Sequence, residues 1–272
     1  MEKLVKYVAR ISTFSRRKSE ELIKHGKVRI NNIVMTEPSA LVTSEDSVSI
    51  NNEIIRSEPV KLYIALYKPD GYMSDLQDPR GRKLARELIN IDVKLFPVGR
   101  LDYHSEGLMI FTNDGGFANE IMHPRYGIEK EYFVKIKGTL RKEEVKRMKE
   151  GIVIDGEVYK IEGIEYIRDA LKNTARERKQ ETAKIIAPDR VIRKRDKTDF
   201  EAKNTWYSIV VNEGKNRMIR RIGDAMSHPV LKLKRVRIGR LELGDLQPGK
   251  YRYFEKDEAI GLAKNKRKKK SK

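Results

Sequence analysis

The stretch Gly99-Arg100-Leu101-Asp102-Tyr103-His104-Ser105-Glu106-Gly107 crowds two carboxylates and an arginine together without helical periodicity. Apolar runs on either side read as strands, and loops held by sheets are where sites often lie. Asp102 stands two residues after Arg100, near enough for the two charges to pair. An ionised carboxylate is a competent nucleophile once it is desolvated and positioned. From these residues alone three uses stay open: a nucleophile, a structural Arg–Asp pair, or, with Glu106, the carboxylate couple of a glycosidase. Other chemistry is excluded more firmly. With Cys 0 there are no disulfides, thiolate metal sites or cysteine nucleophiles, and His 4 in 272 residues makes a multi-histidine metal centre an unpromising reading.

The charge narrows the choice of partner. The chain carries 59 Lys+Arg against 40 Asp+Glu, a net charge of +19. Residues 3–30 hold nine Lys/Arg and two Glu, residues 215–240 nine Lys/Arg and one Asp, and residues 264–272 seven Lys/Arg and no acid. Charge focused in three segments is the footprint of phosphate-backbone binding through counterion release. A membrane surface fits less well, because no strongly apolar helix face accompanies the basic runs. No apolar run approaches the roughly 18–20 residues of a span, and Met-Glu-Lys-Leu-Val-Lys lacks the apolar core of a signal peptide. The expected protein is soluble and cytoplasmic, with a polyanionic partner and no membrane contact.

The elements that must position these residues come in two sets. Leu4, Val8 and Ile11 share one helix face, and a second helix starts at Ser15, buries Leu22 and Ile23, and ends at Gly26. Val28 and Ile30 alternate with basic residues as in a half-buried strand, Asn31-Asn32 suits a turn, and Val48 and Ile50 alternate in the same way. Residues 51–60 read as a polar connector. Beyond it, Leu62–Tyr67 is a strand candidate stopped by Pro69-Asp70-Gly71, and 82–89 suits a short amphipathic helix with Leu84 and Leu88 one turn apart. Leu108–Phe111 reads as a buried strand ending in an Asn113-Asp114-Gly115 turn. Tyr132, Val134 and Ile136 oppose Phe133 and Lys135 with a period of two. Residues 205–212 form a further strand and 215–227 a basic helix. Strands and helices do not alternate regularly, so the expected class is α+β with a mixed, largely antiparallel sheet, not a doubly wound parallel one. Residues 168–203 hold twelve Lys/Arg and seven Asp/Glu with Phe200 as sole aromatic, the composition of a solvated insertion dispensable for the fold or of a segment that orders on RNA. The basic tail 259–272 reads as disordered.

Two resemblances give these pieces a meaning. Residues 3–55, through Ser15-Arg16-Arg17-Lys18-Ser19-Glu20-Glu21-Leu22-Ile23-Lys24-His25-Gly26-Lys27-Val28-Arg29-Ile30-Asn31, resemble the alpha-L RNA-binding module of a small-subunit ribosomal protein and tyrosyl-tRNA synthetases. Gly99–Gly115, GRLDYHSEGLMIFTNDG, resembles the catalytic motif of pseudouridine synthases of the Rsu branch. Lys130-Glu131-Tyr132-Phe133-Val134 and Glu213-Gly214-Lys215-Asn216-Arg217-Met218-Ile219-Arg220-Arg221 resemble that family's tyrosine motif and basic third motif, in the family's order.

The resemblance implies an alpha-L domain over 1–55 and a synthase domain over 61–258. It implies isomerisation of a uridine in ribosomal RNA, with the large subunit as the leading target. Asp102 matches the catalytic aspartate, Tyr132 the tyrosine that stacks on the base, and Arg220 the basic residue that pairs with the aspartate. Arg100 looks like a positioning residue, Lys215 and Arg217 like phosphate holders, and Arg16, Arg17, Lys18 and Lys27 like the RNA-binding face. Met218 departs from the family's usual glutamine. No cofactor or metal is implied for an isomerisation, and a monomer acting on ribosomal RNA or a pre-ribosomal particle is expected. The target uridine must leave its stack, and Tyr103 and His104, beside Asp102, could fill the gap. A non-catalytic RNA-binding or ribosome-assembly factor on the same fold, and a synthase acting on tRNA, are the alternatives.

Overall fold

The computed structural model describes residues 1–12, 14–54, 59–167 and 204–260. The insertion 168–203 and the tail from 261 lie outside the described residues. The chain divides into two compact units, Met1–Leu62 with Asn113–Gly115, and Tyr63–Thr112 with Gly116–Lys272.

In the first unit, β1 (Glu2–Lys3) leads into α1 (Leu4–Ile11), followed by α2 (Arg16–Lys24), β2 (Val28–Ile30), β3 (Ile33–Met35), β4 (Leu41–Val42), β5 (Val48–Ile50) and β6 (Glu53–Ile54). Ser15 caps α2, its Oγ accepting from the Lys18 backbone N–H at 3.1 Å, a bond of the kind that contributes about 1 kcal/mol. Leu4, Val8, Ile11, Ile23, Val28, Val42, Val48 and Ile50 form the core, while Leu22 packs only partly buried at its edge. Asn31 and Asn32 both take positive φ (48° and 67°), which closes the β2–β3 hairpin. Asn51 and Asn52 repeat that turn and add β6 to β5, so the expected polar connector contains a strand.

The second unit comprises β7 (Tyr63–Lys68), β8 (Phe96–Val98), β9 (Glu106–Thr112), α3 (Gly115–Met122), β10 (Lys130–Ile136), α4 (Lys142–Glu150), β11 (Ile152–Ile154), β12 (Glu157–Tyr159), β13 (Gly163–Ile167), β14 (Thr205–Val211), α5 (Met218–Ala225), β15 (Val230–Ile238), β16 (Leu241–Glu242), β17 (Tyr251–Tyr253) and α6 (Lys256–Ile260). A nine-stranded sheet runs β13-β14-β10-β15-β9-β7-β17, with β16 on β15 and β8 on β9. Its pairings are antiparallel except β15 with β9, where Lys234 pairs with Glu106 and Arg235 with Gly107. The fold is therefore α+β with a mixed sheet.

Several expectations need correction. Residues 82–89 form only a 3-10 turn at Ala85–Leu88, with Ala85 and Ile89 as its buried contacts. Gly115 opens α3 rather than closing a turn, because Phe117, Ala118 and Ile121 bury one face of the segment. The basic helix starts at Met218, three residues later than its composition implied: Arg217 has φ 50°, which a helix interior does not accept. Ala259, fully buried, and Ile260 belong to α6 and not to a disordered tail.

The strands come very close at the β9–β15 junction. Gly107 has φ +109°, and a Cβ there would lie 2.2 Å from the Arg235 carbonyl oxygen. Only glycine allows the two strands this approach.

Candidate active site

A cleft of about 530 Å³ in the second unit is lined by Arg100, Asp102, Ser105, Lys130, Tyr132, Lys215, Asn216, Arg217, Met218 and Arg235, among others. The three sequence motifs thus meet in one place, though 97 residues separate the end of the first from the start of the last.

Asp102 sits on a loop braced from two sides. Ser74 donates its hydroxyl to the Leu101 carbonyl at 2.7 Å and accepts from the Leu101 N–H at 3.0 Å, so the residue before Asp102 is clamped and buried. On the other side, Lys68 Nζ donates to the carbonyls of Ser105 (2.6 Å), Pro69 (3.0 Å) and Tyr103 (3.3 Å). Lys68 is completely buried. Burial pushes its ammonium down to about 8, opposed by the carboxylates of Asp70 and Asp102.

The cations that meet Asp102 come from the far end of the chain. Arg220 Nε lies 3.5 Å and Arg217 Nη1 3.8 Å from the same oxygen, Oδ2. Arg217 is more than half exposed, so water screens its attraction for Asp102 more than it screens that of Arg220. Oδ1 makes no hydrogen bond among the described residues. Arg220 is itself fixed, Nη2 donating to the His104 carbonyl (2.7 Å) and Nη1 to the Val230 carbonyl (3.1 Å). Its Nε–H makes no hydrogen bond, so its contact with Asp102 is an ion pair only. Burial lowers the Arg220 guanidinium from its ordinary value, and Asp102 opposes that shift.

Arg100 does not do what its spacing implied. It lines the cleft but pairs with Asp75 at 3.4 Å, because its exposed side chain extends away from Asp102. Lys215 is taken up by protein groups: Nζ donates to the Val158 carbonyl at 2.5 Å, lies within 4.0 Å of Glu157 and Glu213, and sits 5.0 Å from the Tyr159 ring centroid. Met218 lines the cleft and is buried in the apolar cluster beneath it. Tyr103 and His104 pack edge-to-face on each other, the first under Arg82 and the second 3.2 Å from Asp70; neither lines the cleft. In the first unit Arg16, Arg17, Lys18 and Lys27 are all exposed, and Lys18 alone of the four forms an ion pair among the described residues, with Glu21 at 2.6 Å.

Tyr132 stands on β10 with its ring almost buried, its hydroxyl accepting from Arg235 Nη1 at a long 3.4 Å. Arg235, buried on β15, donates Nε to the Leu108 carbonyl at 2.7 Å. Lys130 completes the floor; burial, reinforced by Arg235, pushes it down to about 8. Sequence reasoning missed Lys68, Ser74 and Arg235 and gave Lys130 no role. A signal existed for two of them. Lys68 ends an apolar strand, and Arg235 occupies the inward register of β15 after Leu233.

The profile of the RNA pseudouridylate synthase family matches residues 62–225, and that of the S4 domain residues 2–48. The ribosomal large subunit pseudouridine synthase B of Bacillus subtilis (strain 168) is 39% identical over 264 residues, covering 96% of each chain. An uncharacterized RNA pseudouridine synthase of Aquifex aeolicus (strain VF5) is 36% identical over 95% of this chain and 92% of its own. A crystal structure of a pseudouridylate synthase shares the fold, with a TM-score of 0.59, 21% identity, and coverage of 95% of this chain and 98% of the other.

Proposed function

Since the chain belongs to the RNA pseudouridylate synthase family and opens with an S4 domain, we propose that it isomerises a uridine of bacterial large-subunit ribosomal RNA, with Asp102 as nucleophile. The substrate class is taken from the Bacillus subtilis relative's name. One observation carries the assignment of residues: Asp102 lies in the cleft beside Tyr132 with Oδ2 held by Arg220 and Arg217, while Oδ1 is left without a hydrogen bond among the described residues.

Each residue then has a role. Arg220, anchored on two carbonyls, orients the carboxylate so that Oδ1 can attack the nucleotide. Oδ1 bonds to ribose C1′ as the C1′–N1 bond breaks, and that bond's electron pair leaves with the uracil. The base turns, C5 bonds to C1′ as the C1′–Oδ1 bond breaks and frees the carboxylate, and the proton displaced from C5 is replaced by one taken up at N1. Tyr132 offers a ring face for stacking. Arg217 and Arg100, both more than half exposed at the rim, are placed to meet the phosphates that flank a flipped nucleotide. Lys215 would have to give up its Val158 and glutamate contacts to join them. Arg16, Arg17, Lys18 and Lys27 supply affinity through phosphate contacts. A non-catalytic RNA-binding role would give no reason for Asp102 and Tyr132 to share one cleft with Arg220 paired to Asp102.

The test is direct. Large-subunit, small-subunit and transfer RNAs transcribed in vitro are incubated with the protein, and pseudouridine is located by carbodiimide labelling and primer extension. New stops confined to the large-subunit transcript are expected. Stops on the other RNAs alone would overturn the substrate, and none on any would overturn the activity.

A further inference from the structure

Arg235 is an expensive side chain to hold where it is. The residue is 2% exposed, and its Nη2 makes no hydrogen bond. No carboxylate forms an ion pair with it among the described residues. Lys68 and Lys130 stand near enough for its charge to oppose theirs. A buried, unsatisfied donor on a fixed cation requires an explanation, and loop bracing supplies none, since Nε alone holds the Leu108 carbonyl. The side chain also lines the cleft with Asp102, Lys130 and Tyr132. Positive charge is thus concentrated at the floor of a site whose reaction, on the function proposed above, generates a negative leaving group.

We propose that the Arg235 guanidinium receives the negative charge that develops on the uracil as its bond to the ribose breaks. Its charge acts on the base from the cleft wall, and Nη1 acts through the Tyr132 hydroxyl it touches. When C1′–N1 breaks, the electron pair passes to N1 and spreads onto the ring oxygens, where a pre-placed cation is most effective. The pair is used again in the C5–C1′ bond, so the charge exists only between the two steps. A donor set of this kind favours the separated base over the bound uridine, and therefore acts on rate and not on affinity.

Arg235→Gln and Arg235→Lys test this with an in vitro large-subunit ribosomal RNA transcript labelled with tritium at uracil C5. Single-turnover tritium release separates rate constant from active fraction, and filter binding gives the RNA Kd. Arg235→Gln should lower the rate constant about a hundredfold with amplitude and Kd unchanged. Arg235→Lys, which keeps the charge but cannot hold the Leu108 carbonyl and the Tyr132 hydroxyl together, should fall in between. A fully 5-fluorouridine-substituted transcript, whose base bears negative charge more easily, should shrink the loss to about tenfold or less, read as rearranged nucleoside by mass spectrometry. If Arg235→Gln fails to fold, the same two-transcript comparison is made with Arg235→Lys. A loss confined to amplitude, or an equal loss on both transcripts, would overturn the role of Arg235. Failure of the wild-type protein to release tritium would instead overturn the proposed function.

Discussion

The two units use the same residue types in opposite ways. In the first, Arg16, Arg17 and Lys27 lie exposed, with no ion pair among the described residues, on a module whose core is eight aliphatic side chains. In the second, Lys68 and Arg235 are buried, Arg220 is mostly so, and all three are tied to backbone carbonyls of the strands and loop around Asp102. Exposed cations keep their hydration and their freedom, so they attract phosphates at long range and are screened by salt. Buried cations have lost both. What they gain is a fixed position beside a reacting group, where the field they exert is not diluted by water. The contrast divides affinity from chemistry between the units, and substitutions on each side can break it.

The largest effect belongs to Asp102. Asparagine preserves its size and hydrogen-bonding capacity while removing the charge that a nucleophile needs. Asp102→Asn should bind RNA almost normally and yet form no detectable pseudouridine, a loss beyond a thousandfold. Arg220 keeps its two carbonyl contacts in this variant, so thermal unfolding should change little. A folded Asp102→Asn protein with turnover near wild type would end the case for nucleophilic catalysis at this residue.

That prediction was within reach of the sequence, because Asp102 and its motif are contiguous there. The family resemblance also named Arg220 as the partner of Asp102, and the two do pair, but the residues alone pointed elsewhere. Spacing favoured Arg100, two residues away, but the loop turns its side chain toward Asp75 and the pairing cations arrive from Arg217 and Arg220. Contacts across more than a hundred residues are set by strand order, and the parallel β9–β15 pairing that brings these segments together has no local signature. Lys68 and Arg235 were missed for a related reason: a charged residue in a strand reads as solvent-facing until its neighbours on both sides are known. The alternation of β10 and the Ser15 cap were legible because period and cap are local properties. Helix α3 was not, since Asn-Asp-Gly is a turn signal and the apolar face that overrides it begins only at Phe117.

An intermediate effect is expected from the exposed side of the contrast. Replacing Arg16, Arg17 and Lys27 with alanine removes three charges that hold no partner within the described structure. If each meets one phosphate, the slope of log Kd against log salt should fall by about two to three. The single-turnover rate constant at saturating RNA should stay at the wild-type value. Lys18→Ala alone should do less, since its ammonium is shared with Glu21. An unchanged salt slope in the triple variant would move RNA affinity out of this unit. A lowered rate constant at saturation would blur the division itself.

The smallest effect sharpens the comparison from within the buried set. Lys68 titrates near 8 in the folded protein against about 10.5 when unfolded. Its folded pKa is the lower of the two, so between those values the unfolded chain binds more protons and stability rises with pH. The burial penalty is complete below pH 8 and relieved as the ammonium loses its proton. Tyr67 and Tyr207 work in the other direction: burial raises both phenols, so above pH 10 the unfolded chain releases protons that the folded one retains, and stability falls. The window for lysine is therefore pH 8 to 10, and a difference between variants isolates it. Urea unfolding of wild type and Lys68→Met at pH 7.5 and 9.5 should show wild type gaining on the variant by about 1–2 kcal/mol between the two conditions. Lys27→Met, exposed in the first unit, should show no such gain. An equal wild-type–to–Lys68→Met gap at both pH values would mean that Lys68 is solvated after all, and that the two units hold their charges less differently than their burial implies.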